Sequence, residues 1–343
     1  MPTTTTNKGI NTDSKIAEIL ISSSMDKLEV LPAVFSVSNI DTGLAQTELE
    51  GHLSVEILKE LGTGSQHPMR KAPITAEEDL EAEKFSAFAK AFYGTGKRSK
   101  QDIKRLLESL ELNPDNFLKG GGNGYKGLVR KAMKAVEVAL QQTAPTNSDT
   151  SIPSLYEMSK QGIFAGIDGT KYPAFQPQFS EIKGNKAILS AIKENGVFPL
   201  GLVQLNLLIR AINKCNTKAT VIFAGSNLFN TMIEWKENNK HLFERSSFDF
   251  TDNKYMGLEL IECSYGDWGS KIEFTNRCMI FGLDSLQIRT NEDHLTAVDG
   301  DGIENDGLSR IMKVVSIIYY FLIAPYNRAG CGQAYFPDLE LLK

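Results

Sequence analysis

Histidine, cysteine and tryptophan are scarce: 343 residues carry four histidines, four cysteines and two tryptophans. His52, His67, His241 and His294 stand in four separate contexts with no H-x-x-x-H pair, so the spacing of an imidazole-bound metal is absent. Cys215, Cys263, Cys278 and Cys331 lie far apart and form no C-x-x-C pair. That pattern excludes a disulfide framework and a zinc site, and leaves reduced, partly buried thiols as the expectation. A G-x-S-x-G elbow and a G-x-G-x-x-G turn after a strand are also missing. No catalytic, cofactor-binding or metal-binding residue is therefore assigned, and no cofactor is expected.

Long apolar runs are missing too. The longest, Val314–Ala324, is bounded by Lys313 and Pro325 and falls short of the ~20 residues that a membrane helix needs. The first residues, MPTTTTNKG, are polar and threonine-rich, without the basic start and apolar segment of a signal peptide. The chain reads as soluble, with no membrane partner. A basic bias is absent as well: the net charge is −5 and the pI about 5.6, which argues against a sequence-reading nucleic-acid binder. The apolar share of 41% and charged share of 23% are those of an ordinary globular protein. The length allows one large domain or two to three smaller ones.

Residues 1–12 read as an arm, since a threonine run without apolar periodicity cannot offset its ordering entropy. Apolar residues return from Asp13 onward without a sustained helical stripe. Leu53, Val55 and Ile57 alternate with Ser54 and Glu56, the period of a strand with one covered face. The turn-rich tip Gly62–Pro68 and the basic return Met69-Arg-Lys-Ala-Pro-Ile74 then suggest a two-stranded excursion over 45–74. Such a hairpin is marginal alone and needs something to lie on.

Thr75-Ala-Glu-Glu78 fits a capping box and opens an expected helix with Phe85, Phe88 and Phe92 on one stripe. A second helix is expected from Ser99-Lys-Gln-Asp102, and Asn113-Pro114 supplies a further N-cap with proline at the first helical position. Gly127–Gln142 is amphipathic, with Val129, Ala132, Met133, Val136, Ala139 and Leu140 on its apolar face. After a proline-bearing stretch over 143–183, helices are expected at Asn185–Glu194 and Pro199–Cys215. The buried strand Thr220–Phe223 runs into Ser226-Asn227, a good helix cap, and the helix Leu228–Glu237. Strands dominate from Leu258 to Thr290, and Ile311–Ala324 is a β-branched and aromatic run suited to a long strand.

Lys119-Gly-Gly-Gly-Asn-Gly-Tyr-Lys-Gly127 is the best phosphate-loop candidate. A phosphate loop needs a preceding strand and a lysine followed by serine or threonine. Here glycine follows the lysine and a helix is expected before it, so a helix–helix connection is the preferred reading. Asp299-Gly-Asp-Gly-Ile-Glu-Asn-Asp306 resembles a calcium loop, but Ile303, Glu304 and Arg310 stand where an oxygen ligand, glycine and glutamate are required; an acidic turn is preferred. Lys97-Arg98-Ser-Lys100 reads as a solvated helix entry, and Trp235 and Trp268 as core or interface aromatics.

The order of elements resembles the major capsid proteins of tailed bacteriophages, which share the HK97-like fold. Thr220–Asn230 resembles that family's strand running into a helix, Met256–Ile261 its G-x-x-apolar strand, and Met279–Asp284 its apolar-Phe-Gly-Asp turn with an added leucine. Ala324-Pro325-Tyr326-Asn327 resembles the return into its peripheral sheet. Three helices broken by glycines between Thr75 and Gln142 depart from one continuous spine helix, and no crosslinking lysine–asparagine pair can be placed.

The resemblance implies an α+β fold divided into an N-terminal arm (1–44), an extended loop (45–74), a spine and peripheral region (75–184), an axial domain (185–283) and a peripheral return with C-terminal tail (284–343). It further implies a non-enzymatic major capsid protein that assembles with itself into pentamers and hexamers of an icosahedral shell around double-stranded DNA. Scaffold and portal proteins would be partners, with decoration proteins a further candidate. The location would be the virion, assembled in the host bacterial cytoplasm. Two alternatives stand beside this reading: an encapsulin-like compartment shell, and a cytoplasmic α/β enzyme holding a phosphorylated ligand at Lys119–Gly127.

Overall fold

A computed structural model describes residues 28–41, 52–58, 82–88, 90–99, 122–143, 152–164, 167–170, 172, 175–181, 200–215, 217–238, 253–289, 297–299, 312–325 and 327–339. The architecture is α+β, organised around two mixed sheets. The six-stranded sheet has the order β7 (Gln178–Glu181), β15 (Cys331–Tyr335), β11 (Arg277–Gly282), β8 (Ala219–Gly225), β10 (Leu258–Cys263), β9 (Lys254–Tyr255). β8 and β10 run parallel, as do β15 and β7, while β11 is antiparallel to both of its neighbours.

The five-stranded sheet is built on the long strand β14 (Met312–Pro325). β14 pairs antiparallel with β4 (Lys90–Ser99), β12 (Leu286–Arg289) and β13 (Ala297–Asp299), and β1 (Ser38–Asp41) joins β12 in parallel. Separate antiparallel pairs are formed by β2 (His52–Leu58) with β3 (Ala82–Phe88), and by β5 (Ile163–Phe164) with β6 (Ile167–Asp168).

Apolar side chains leave both faces of the six-stranded sheet, and both are covered. Along β8, Val221 and Phe223 alternate with Ile222 and Ala224, and all four are buried; this is why the strand reads as a continuous apolar run. One face carries α4 (Leu200–Asn213) and α5 (Ser226–Asn238). Leu202, Leu205, Leu208, Ile209 and Ile212 recur at helical spacing and pack with Leu228, Met232 and Trp235 over Ile222, Cys278 and Ile280. The opposite face carries α1 (Val30–Ser36), α2 (Gly122–Leu140) and α3 (Leu155–Ser159), whose Leu31, Val34, Met133, Val136, Leu155 and Met158 pack over Phe223, Met279 and Phe281. That second core also takes in Leu286 and Ile288 of β12, so it runs from one sheet to the edge of the other. Each fully buried aliphatic or aromatic side chain here contributes about 1.5–3 kcal/mol relative to exposure.

The strand–helix unit β8–α5, helix α4 and the long strand β14 follow the sequence expectations closely. The apolar face expected on 127–142 is buried at Ala132, Met133, Val136, Ala139 and Leu140. Three readings are corrected. Residues 82–88 and 90–99 are strands, not a helix with a phenylalanine stripe, because β3 and β4 find long-range partners in β2 and β14. Lys97 and Arg98 thus lie within β4, opposite Val314 and Lys313, and not at a helix entry. The partner of β2 is Ala82–Phe88, so the two-stranded pairing reaches beyond residue 74. A helix also appears where no stripe was seen, at Val30–Ser36, with Pro32 tolerated in its first turn.

Candidate assembly joint

The chain passes between the two sheets by two short connections. One leaves β11 at Gly282 and enters β12 at Leu286; the other leaves β14 at Pro325 and enters β15 at Cys331. They lie side by side, because Leu286 pairs with Pro325 on one side of the joint and Phe281 with Cys331 on the other. The first turns sharply through Asp284, in the left-handed region at φ 56°, a conformation that aspartate tolerates better than most residues. The two are tied together where the amide of Asn327 donates to the carbonyl of Ser285 at 3.2 Å.

Residues from the loop between α4 and β8 wedge into this joint. The Thr217 hydroxyl donates to the Leu283 carbonyl at 2.6 Å, and the Leu283 amide donates to the Lys218 carbonyl at 2.8 Å. The side-chain amide of Asn327 donates to the Cys215 carbonyl at 2.8 Å, while its Oδ1 accepts from the Gly330 amide at 3.3 Å. Glycine is required at 282 and 330 by space: a Cβ would lie 2.6 Å from the Thr217 methyl at Gly282 and 2.8 Å from it at Gly330.

Beside the joint, the fully buried Arg328 clamps α3 and the β5–β6 pair to the start of β15. Its guanidinium donates to the carbonyls of Met158 (2.9 Å), Gly162 (3.0 Å), Glu157 (3.3 Å) and Lys160, and lies over the rings of Phe164 and Phe175. Desolvation lowers its pKa to about 10. Gln333 makes a second tie: its amide donates to the Tyr156 carbonyl and the Ser159 hydroxyl at 2.8 and 2.9 Å, and its oxygen accepts from Arg277 at 2.9 Å. Arg277 stacks over the ring of Tyr335 at 4.8 Å. Every one of these polar groups is spent on fixing one layer against another.

Chemistry is not what this arrangement offers. All four cysteines are free and buried. Burial pushes the thiols of Cys278 and Cys331 up to about 12, which keeps them protonated and poorly nucleophilic. Among the described residues no group of three or more histidine, cysteine, aspartate or glutamate side chains could hold a metal, and no helix is long and apolar enough to cross a membrane. The phosphate-loop candidate is corrected in part: from Gly122 onward it forms the first turns of α2, and residues 119–121 lie outside the described residues. Asp299 ends β13 and His52 begins β2; residues 300–306 and His67, His241 and His294 lie outside the described residues. Trp235 and Trp268 are both core residues. Sequence reasoning missed Thr217, Arg277, Asn327, Arg328 and Gln333. The one local hint is the run of small residues Ala329-Gly330-Cys331-Gly332, which allows tight packing around Arg328.

Large apolar side chains also reach solvent: Ile163 is 71% exposed, Ile272 68%, Leu207 50% and Leu283 49%. Leu283 sits on the joint itself.

No family model matches this sequence, and no curated protein matches it. Solved structures do. The capsid of cyanophage A-1(L) superposes with a TM-score of 0.53 at 10% identity, over 90% of this chain and 93% of that one. The capsid of an empty GTA particle gives 0.49 at 10% identity over 89% of each chain, and the capsid of Myoviridae phage XM1 gives 0.47 at 12% identity over 91% and 93%. The assignment of fold rests on the first of these. The chain has the HK97-like fold of bacteriophage capsid proteins.

Proposed function

We propose that this chain is a structural, non-enzymatic subunit of a virus capsid, assembling with copies of itself into a closed shell. The observation that carries the reading is the superposition on the cyanophage A-1(L) capsid over nine-tenths of both chains. The joint supports it, since a shell subunit must hold its layers in fixed relation while its surface meets neighbours. The solvent-facing apolar residues Leu207, Ile272 and Leu283 suit contacts between copies.

In this reading heterologous contacts close by rotation into rings of five and six, and the rings tile an icosahedral shell around double-stranded DNA. Strands β11, β8, β10 and β9 with α4 and α5 form the body of the axial domain of residues 185–283, and β7 and β15 extend its sheet from outside that range. The five-stranded sheet forms the peripheral part, together with the remainder of 75–184 and 284–343. Val30–Ser36 and Ser38–Asp41 are packed in this subunit's own core and sheet. Of the arm over 1–44, therefore, the part ahead of α1, with the loop beginning near residue 45, reaches onto neighbouring subunits, which shares folding energy with assembly energy. An acidic surface lets packaged DNA slide free of the wall, because strong phosphate binding would impede its movement. Scaffold and portal proteins are partners, decoration proteins a further one, and assembly takes place in the cytoplasm of the bacterial host before the chain resides in the virion.

The test is expression of the full chain, alone and with its candidate scaffold, followed by size exclusion and negative-stain electron microscopy. Closed shells, rings or tubes are expected. A discrete small oligomer under both conditions, with a melting temperature raised by a nucleotide, would refute the reading and restore the phosphate-binding alternative. Shells that fill with a cargo enzyme and never with DNA would favour a protein compartment.

A further inference from the structure

Glu137 sits on α2 with its carboxylate beneath the start of α1, and is only 3% exposed. Its Oε2 accepts the amide of Leu31 at 3.2 Å, and the amide of Glu29 donates to the same carboxylate. Glu29, at the N-cap of α1, makes no side-chain cap of its own. The cap is therefore supplied in trans, from a residue 106 positions away in the chain. Around it, Val30, Leu31 and Val34 of α1 close over Met133 and Val136 of α2, so docking of α1 is what removes water from the carboxylate. The charged or titratable groups acting on this site are Glu29 from α1, Lys134 from α2 itself, and Cys263 from β10 below.

We propose that Glu137 is a proton-operated latch on α1, which holds the helix tightly in mildly acid solution and loosely as the solution becomes alkaline. An isolated carboxylate is costly to bury, and two amide donors leave part of its acceptor capacity unused. Burial, the largest cause, raises its pKa, joined by the charge of Glu29, against the two amide bonds and Lys134. A carboxyl that binds its proton more tightly docked than undocked favours docking at low pH. That contribution is fully present below the ordinary glutamate pKa and is lost as pH rises through the raised value. The thiol of Cys263, pushed far up by burial, stays neutral throughout this range.

Cys263 lies in the same buried cluster as α1 and α2 and reports the opening; Cys278 lies in the other core and serves as the control. The full chain is exposed to a small alkylating reagent from pH 5 to pH 8. Labelled cysteines are located by peptide mass spectrometry, and rates are corrected with a free thiol at each pH. Corrected labelling of Cys263 is expected to rise several-fold with pH while that of Cys278 stays flat. Glu137→Gln, which keeps an acceptor oxygen without a charge, is expected to hold Cys263 at the slow rate throughout. Glu137→Ala is expected to label faster at every pH, without a slope. A flat or inverted wild-type profile overturns the latch by itself, as does a Glu137→Gln profile with the wild-type slope, or a Cys278 rate that rises in step with Cys263. Because the inference rests on α1 and α2 alone, it is tested on the unassembled chain and stands or falls independently of the shell reading.

Discussion

The guanidinium of Arg328 lies 4.9 Å from the centre of the Phe164 ring and 5.0 Å from that of Phe175, in the corner formed by these two edge-to-face rings. Carbonyl oxygens from the end of α3 and the residues after it meet its donors. A planar cation set against two aromatic rings, with its N–H groups directed at fixed carbonyls, is a fit that arginine alone provides.

Replacement of Arg328 therefore has a definite cost. Arg328→Met removes the cation and leaves its carbonyl partners without that donor, which is expected to destabilise the chain by about 1–3 kcal/mol for each acceptor that stays buried and unpaired. Arg328→Lys should recover only part of this, since a point charge cannot reach all the carbonyls at once. Urea unfolding followed by the fluorescence of the buried Trp268 measures both; a loss below about 1 kcal/mol for the methionine variant would contradict the clamp.

The fit of Thr217 against Gly282 predicts a coupled pair. Gly282→Ala puts a methyl against the Thr217 side chain and should cost about 1–3 kcal/mol, as overpacking does. Thr217→Ala should cost about 1 kcal/mol through loss of its bond to the Leu283 carbonyl. In the double variant the clash with Thr217 is gone and only the 3.1 Å approach to the Gly330 carbonyl remains, so its loss of stability should be clearly smaller than the sum of the two. A double-mutant cycle by denaturant titration reads the difference; simple additivity would show that the two residues do not touch.

Buried thiols predict alkaline sensitivity. Burial raises the Cys278 and Cys331 pKa values to about 12, while in the unfolded chain a thiol ionises near 8.5. Their contribution is complete below that unfolded value and declines as pH climbs toward 12, by about 1.4 kcal/mol per thiol per pH unit. Melting temperature should therefore hold steady from pH 7 to 8 and fall progressively above 9. Cys278→Ala or Cys331→Ala should flatten that fall at some cost in packing at pH 7; an unchanged alkaline slope in both variants would argue against it.

The β9–β10 hairpin leaves a gain available. Met256 and Gly257 both adopt positive φ, 52° and 81°, between Tyr255 and its partner Leu258. Such two-residue turns favour Asn-Gly, and methionine is held there at a backbone cost of order 1 kcal/mol. Met256→Asn should raise stability by up to about 1 kcal/mol in thermal melts, and Gly257→Ala should lower it.

How much of this was legible depends on where the deciding forces lie. The β8–α5 unit could be read because β8 is buried on both faces and Ser226 starts a helix at once, both being local signals. β14 was readable from its β-branched and aromatic content. Phe85, Phe88 and Phe92 fit a helical stripe equally well, and only pairing of β3 with β2 and of β4 with a strand more than 200 residues later makes that region extended. The joint and its clamp were hidden for the same reason. Arg328 meets the Met158 carbonyl across 170 positions, and no local pattern announces such a contact.

The two short connections at the joint also decide how the subunit bears load. A pull that separates the sheets is shared by two covalent strands acting side by side, and the amide of Asn327 keeps them in step. A protease that nicks the exposed turn at Leu283 would leave the second strand intact, so the cut chain should stay in one piece under native conditions and come apart only on denaturation. That is redundancy built from topology, with no added bond.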